Sequence, residues 1–236
     1  MSPPETLGGF LSGLKDSGCA LLVTGDTDPE TRAAVSRRLF GVPRSELEAD
    51  EPTRKRVLVR TDRALRPRRY LPSGVDTGPE TCSILDAAGG DRSTAATSPP
   101  TESDSLDRNP STGLEGVADA VERRVDEILG NTTNLGPAEL RIGCSSLLSL
   151  SKRFERDEIA AFARSVATTA RRNRGMCHIH YPMDDGARPV RELSTGANAR
   201  LELSTVGSRI YVTWHTPYEN VGGAEQPISW FEMKDD

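Results

Sequence analysis

The stretch from Cys19 to Val35 reads CALLVTGDTDPETRAAV, and its interpretation decides the fold. Cys19 to Thr24 is an apolar run of the kind expected for a parallel strand covered on both faces. Asp28 followed by Pro29 predicts a helix N-cap and first helical position, and Gly41 after Phe40 predicts the C-cap. Strand, tight loop and helix start together form the place where a phosphate-binding loop would sit. Such a loop needs several glycines, whose amides cradle phosphate, and a lysine followed by Ser or Thr. This loop has Gly25 alone, no lysine, and the acids Asp26, Asp28 and Glu30.

Further strands and helices follow in alternation. Leu7 to Lys15 predicts a short amphipathic helix with Phe10, Leu11 and Leu14 on one side. Strands are expected at Arg56 to Arg60 (RVLVR), around Cys82 to Leu85, and at Glu139 to Cys144 (ELRIGC). Leu114, Val117, Val121, Val125 and Ile128 recur at helical spacing from Leu114 to Leu129. A second long helix is expected from Arg156 to Arg172, with Ile159, Phe162, Ala163, Val166 and Thr169 inward. Met176 to Tyr181 reads as a strand, and Pro189 to Thr195 as a short helix. Three strands close the chain, at Arg200 to Ser204, Arg209 to His215 and Ile228 to Met233. The last two alternate like an antiparallel pair at a sheet edge. Residues 87–112 are Ser, Thr, Pro, Gly and acid with almost no apolar side chains, and are expected to form a disordered linker within a single domain spanning 1–236.

Composition narrows the setting. Of 236 residues, 35% are hydrophobic, which is low for a fully packed chain. The net charge of -5 argues against a generic phosphate-backbone binder. Lysine occurs only at positions 15, 55, 152 and 234, so the cations are nearly all arginine. That balance points to a high-salt or GC-rich source. Cys19, Cys82, Cys144 and Cys177 show no CxxC pairing and read as reduced structural thiols. Met1 to Glu5 carries no cation, and no apolar run approaches spanning length, so a soluble cytoplasmic protein is expected.

The order of apolar strand, helix, RVLVR, long helix, ELRIGCSSL, helix, MCHIHYPM and edge strands resembles the RecA/KaiC-like fold. It is similar in particular to haloarchaeal KaiC-like or HTR-like proteins of unknown function. The resemblance covers nearly the whole chain outside 87–112. It implies an α/β fold of three layers: a mainly parallel sheet, helices on both faces, and antiparallel C-terminal edge strands, without a P-loop motif. In working ATPases of this kind the first strand leads into GxxxxGK[ST]; here it leads into GDTDPETR. Their metal-binding strand ends in an acid; here ELRIGC ends in Ser145 and Ser146. The resemblance therefore implies a fold kept without its ATPase, in a signalling or regulatory role, with no cofactor.

Several residues are candidates for function. Gly25, Asp26, Thr27 and Thr31 occupy the degenerate phosphate-loop position. The helix N-terminus favours an anion, but Asp26, Asp28 and Glu30 repel one, and capping is the favoured role of Asp28 and Glu30. His178 and His180 share one strand face; no metal site is expected, because no acid motif accompanies them and a three-histidine site with His215 would need the two strands to be neighbours. The favoured reading is a half-exposed pair or a polar cluster at the strand end. Arg63, Arg66, Arg68 and Arg69, with Arg60 and Tyr70, form the one dense basic patch, suited to phosphate, an acidic partner or a solvated loop. Arg171, Arg172 and Arg174 at a helix end are explained by dipole compensation. Trp214, Tyr218 and Trp230 are candidates for a partner interface or for self-association. Ser145, Ser146 and Ser149 lack a GxSxG elbow, so no hydrolase triad is supported. No helix-turn-helix or RNA-binding signature accompanies the arginines, which leaves DNA-binding regulation as a third reading behind a protein scaffold and a residual nucleotide- or metal-dependent enzyme.

Overall fold

The computed structural model describes residues 7–41, 54–63, 66–78, 81–87, 113–132, 135–207, 209–217 and 228–232. Most of the proposed linker, residues 88–112, lies outside them, as does Tyr218. Ala87 is described, and it is buried in the core with its amide donating to the Arg60 carbonyl, so it belongs with the preceding strand.

Among the described residues eight strands form one sheet: β1 (Cys19–Thr24), β2 (Lys55–Arg60), β3 (Cys82–Asp86), β4 (Leu140–Cys144), β5 (Met176–His180), β6 (Ala199–Val206), β7 (Arg209–His215) and β8 (Ile228–Glu232). Their spatial order is β3-β2-β4-β5-β1-β6-β7-β8. The first six in that order pair in parallel, and β7 and β8 add on antiparallel. The helices are α1 (Leu7–Ser17), α2 (Pro29–Phe40), α3 (Leu114–Gly130), α4 (Arg156–Arg172) and α5 (Arg188–Ser194). Two short 3-10 turns, Pro67–Tyr70 and Leu148–Leu150, were not visible in the periodicity.

Alternation along the central strands sorts the core into two layers. Ala20, Leu22, Val57, Val59, Ile142 and Ile179 point to the face covered by α3 and α4. Leu21 and Val23 point the other way, toward Phe10 and Leu14 of α1 and Val35 of α2. The α4 stripe is the sequence's own: Ile159, Phe162, Ala163, Val166 and Thr169 are all buried. At its start the Glu158 side chain accepts from the Glu155 amide at 2.8 Å, satisfying one of the donors a helix leaves open. Each large apolar side chain buried this way contributes about 1.5–3 kcal/mol.

Helix α2 is secured at both ends. Asp28 caps its N-terminus. At the other end Arg56 donates to the Phe40 carbonyl at 3.2 Å and Arg141 to the Leu39 carbonyl at 3.3 Å. Cations at a helix C-terminus are stabilising. Both arginines are buried, and burial, followed by repulsion from Arg54, pulls Arg141 down to about 10.

All four cysteines are free and buried. Burial pushes the thiols of Cys19, Cys82 and Cys144 up to about 12, and that of Cys177 well above its ordinary value. They behave as small apolar side chains.

Candidate functional site

The carboxyl ends of β1, β2, β4 and β5 converge under the turn that joins β1 to α2. That turn is short: Gly25, Asp26, Thr27 and Asp28 alone separate strand from helix. Gly25 lies at φ +100, and a Cβ there would stand 2.0 Å from the Leu203 carbonyl oxygen of β6. Only glycine permits that approach. Its amide donates to the Met183 carbonyl at 2.9 Å, and the Thr27 amide donates back to the Gly25 carbonyl at 3.0 Å.

Asp28 takes the place at the helix N-terminus where an anion would bind. Its Oδ1 accepts from the amides of Glu30 at 2.8 Å and Thr31 at 3.0 Å, and its Oδ2 from the Thr31 hydroxyl at 2.6 Å. The Thr31 hydroxyl bond and the two amides hold the Asp28 carboxyl below its ordinary range. The Arg32 amide is engaged as well, with the Asp28 carbonyl. The amides of Gly25, Thr27, Glu30, Thr31 and Arg32 therefore all have protein acceptors. Asp26 is exposed, while the Thr27 hydroxyl is buried without a protein partner.

Beneath the turn lies a pair that sequence reasoning missed. Arg32 donates to the Thr27 carbonyl at 2.6 Å and to Asp62 Oδ2 at 2.6 Å. Arg32 is 7% exposed and Asp62 8%. Asp62 follows β2, and Ser145 fixes it: the Ser145 hydroxyl oxygen accepts from the amides of both Thr61 and Asp62 at 2.9 Å. The Thr61 hydroxyl donates to the Ser146 carbonyl at 2.5 Å, and the Ser146 amide donates to the Thr61 hydroxyl oxygen at 2.8 Å. The end of β4 carries no acid, while its neighbour β2 is followed by one, Asp62, bound to a guanidinium. The only signal in the sequence was an acid two residues past a strand.

His178 and His180 lie on the β5 face that α2 covers, and neither is half-exposed: they are 2% and 0% exposed. The Nε2 of His178 stands 2.9 Å from the Ser36 hydroxyl, and its ring meets Phe40 edge-on at 4.6 Å. This packing requires Gly143 on the adjoining strand, where a Cβ would come within 2.4 Å of Phe40 and 2.7 Å of His178. Both ring nitrogens of His180 are buried without a protein partner. Burial, then the Arg141 charge, lowers His178 to about 3; burial, then His178 and Arg32, lowers His180 well below its ordinary value. The structure does not bring His215 to them, because β1 and β6 stand between β5 and β7. His215 instead faces Glu202 and Asp185.

The basic patch is an anchored turn. Tyr70 is fully buried against α2, while Arg63, Arg66, Arg68 and Arg69 are exposed. Arg69 pairs with Glu30 at 2.5 Å, and its carbonyl accepts from Arg37 at 2.6 Å. Trp214 is 8% exposed and packs inward from β7 with the α1 cluster, so it belongs to the core and not to a contact surface. Trp230 lies in β8.

Comparison with known proteins agrees with the architecture. The chain is similar to the crystal structure of a KaiC-like protein from the hyperthermophilic archaeon Pyrococcus horikoshii OT3, with a TM-score of 0.52 at 17% identity, over 85% of this chain and 80% of that one. At that identity the likeness shows a RecA/KaiC-like fold alone. A search of curated proteins finds no match. A family model described as a family of unknown function, DUF7504, matches residues 18–203, which takes in the β1–α2 turn, the Arg32–Asp62 pair and both buried histidines, and the chain belongs to that family.

Proposed function

We propose that this chain is a non-catalytic RecA/KaiC-like domain that acts as a regulatory or scaffold protein through protein contacts. The observation that carries this reading is the Asp28 carboxylate, which fills the anion position at the α2 N-terminus with the protein's own charge. The amides of Gly25, Thr27, Glu30, Thr31 and Arg32 have protein acceptors, so phosphate bound through them would have to displace existing bonds. Asp62 would have to leave a buried guanidinium before it held a metal-bound nucleotide. The exposed Arg63, Arg66 and Arg68 supply a contact surface for an acidic partner protein. No helix among the described residues is long and apolar enough to cross a membrane, and cytoplasmic action in a high-salt source fits the arginine-for-lysine composition.

The test is nucleotide binding and turnover by the full chain with ATP and Mg2+. Neither is expected at millimolar nucleotide. Turnover that disappears in Thr27→Ala or Thr31→Ala would overturn the reading. Partner contact is tested separately by charge reversal, Arg66→Glu with Arg68→Glu, which is expected to abolish a co-purifying complex while leaving the melting temperature unchanged.

A further inference from the structure

We propose that Asp185, Glu202 and His215 form a binding site for one divalent transition-metal ion on the polar face of β6 and β7. The three residues come from separate places: Asp185 from the turn after β5, Glu202 from β6, and His215 from β7. The register brings them together. His215 pairs with Arg200, which places it diagonally across from Glu202 on the same face. His215 Nε2 stands 2.9 Å from Glu202 Oε2 and 3.7 Å from Asp185 Oδ2, and the three ligand atoms all lie within 4.8 Å of one another. Ligands about 2.1 Å from a tetrahedral ion are separated by about 3.4 Å, so His215 and Glu202, hydrogen-bonded to each other at 2.9 Å, have only to part by a fraction of that distance to admit an ion.

The surroundings are those a metal site needs. Ligating carboxylates are ordinarily held in place by outer hydrogen bonds. Asp185 Oδ1 accepts from the Thr24 hydroxyl at 2.6 Å and from Arg200 Nε at 2.5 Å, and Oδ2 accepts from Arg200 Nη2 at 2.7 Å. A carboxylate has about four lone-pair sites, so Oδ2 retains one toward His215. Arg200 offsets one of the two carboxylates, leaving a net charge of about -1 to attract a cation. The opposite face of these strands, with Leu201, Leu203 and Val212, is packed into the core. On the polar face Glu202 and His215 keep 38% and 32% side-chain exposure, which provides an entry path. Three protein ligands leave a fourth position for water. The imidazole nitrogen selects a transition metal over Mg2+ or Ca2+, which prefer all-oxygen sites.

None of these residues lies in the turn discussed above, so the site stands whether or not the chain handles nucleotide. The experiment is calorimetric titration of ZnCl2 into tag-free, EDTA-stripped and dialysed full chain, with MgCl2 as control. One Zn2+ per chain is expected, with no Mg2+ binding at the same concentrations. Glu202→Gln and His215→Gln are each expected to weaken Zn2+ at least tenfold, with circular dichroism and melting temperature of the metal-free protein retained. Absence of stoichiometric Zn2+ binding overturns the proposal. So does binding of equal strength in both variants, which would locate the ion elsewhere, or Mg2+ binding as strong as Zn2+.

Discussion

Two polar clusters stand near the carboxyl ends of the strands, and they are built in opposite ways. Under the β1–α2 turn, Arg32, Thr61, Asp62 and Ser145 are each at most 8% exposed and bond to one another or to backbone. On the β6–β7 face, Asp185, Glu202 and His215 converge with side-chain exposures of 14, 38 and 32%. The first cluster turns its donors and acceptors inward, where they fix the positions of β2, β4 and α2. The second gathers its ligand atoms within 4.8 Å of one another on a partly exposed face. In a RecA/KaiC-like fold attention falls on the first place. There the polar groups bond to the chain itself, whereas the proposed metal ligands Glu202 and His215 stand on β6, which pairs with β1, and on β7 beyond it.

The largest effect expected from this comparison is at Asp62. Asp62→Ala leaves the buried Arg32 guanidinium without its counter-charge, and losses of about 3–5 kcal/mol follow from breaking such a pair. Urea unfolding measures it. Replacing both partners, Arg32→Met with Asp62→Met, is expected to recover more than half, because the desolvation cost of the charges disappears with them. A single variant losing under about 1 kcal/mol would mean that this cluster is not the structural element described.

The buried histidines give the next effect, and its sign is fixed. Folded His178 binds its proton with a pKa of about 3, whereas an unfolded chain binds it near the ordinary 6.5. As pH falls below 6.5 the unfolded state takes up protons first, so stability present at neutral pH declines through the window down to about 3. Between pH 7 and pH 5 the loss from His178 is about 2 kcal/mol, and His180 adds in the same direction. The carboxyls of Asp28 and Asp185 are lowered below 3.8 and contribute nothing in that interval. For Asp185, burial opposes the lowering, and the Arg200 and Thr24 hydrogen bonds outweigh it. Urea midpoints at pH 7, 6 and 5 check the trend. A flat profile would show that water reaches these rings in the folded state.

How much of this was legible in the sequence depended on the range of the interaction. The Asp28 cap, the bounds of α4 and the apolar β1 were readable because each is settled within a few neighbouring residues. The shared face of His178 and His180 was readable from alternation, but their burial was not, since it depends on α2 lying over that face and on Gly143 giving Phe40 room. Arg32 and Asp62 are 30 positions apart and meet only because α2 crosses toward β2. The same limit explains why the sequence left a three-histidine cluster open as a weak candidate. Alternation says which residues share a face, but strand order decides which strands are neighbours, and β1 and β6 intervene. Trp214 shows it again: as an aromatic on an edge segment it resembled a contact residue, yet its register places it on the inner face beside α1.

The smallest expected effect sharpens the contrast most directly. In metal-free protein, Glu202→Gln removes only a half-exposed partner of His215, and such pairs contribute about 0–1 kcal/mol. Asp185 keeps Arg200 and Thr24, so no buried charge is stranded. A change of under about 1 kcal/mol in unfolding free energy, with EDTA present, is therefore expected. A loss comparable to that of Asp62→Ala would make the β6–β7 cluster a second structural lock, and the distinction between the two regions would fail. A small loss leaves Glu202 and His215 near-dispensable for folding, so Zn2+ titration of the same variant then reads ligand binding alone, without an accompanying loss of the fold.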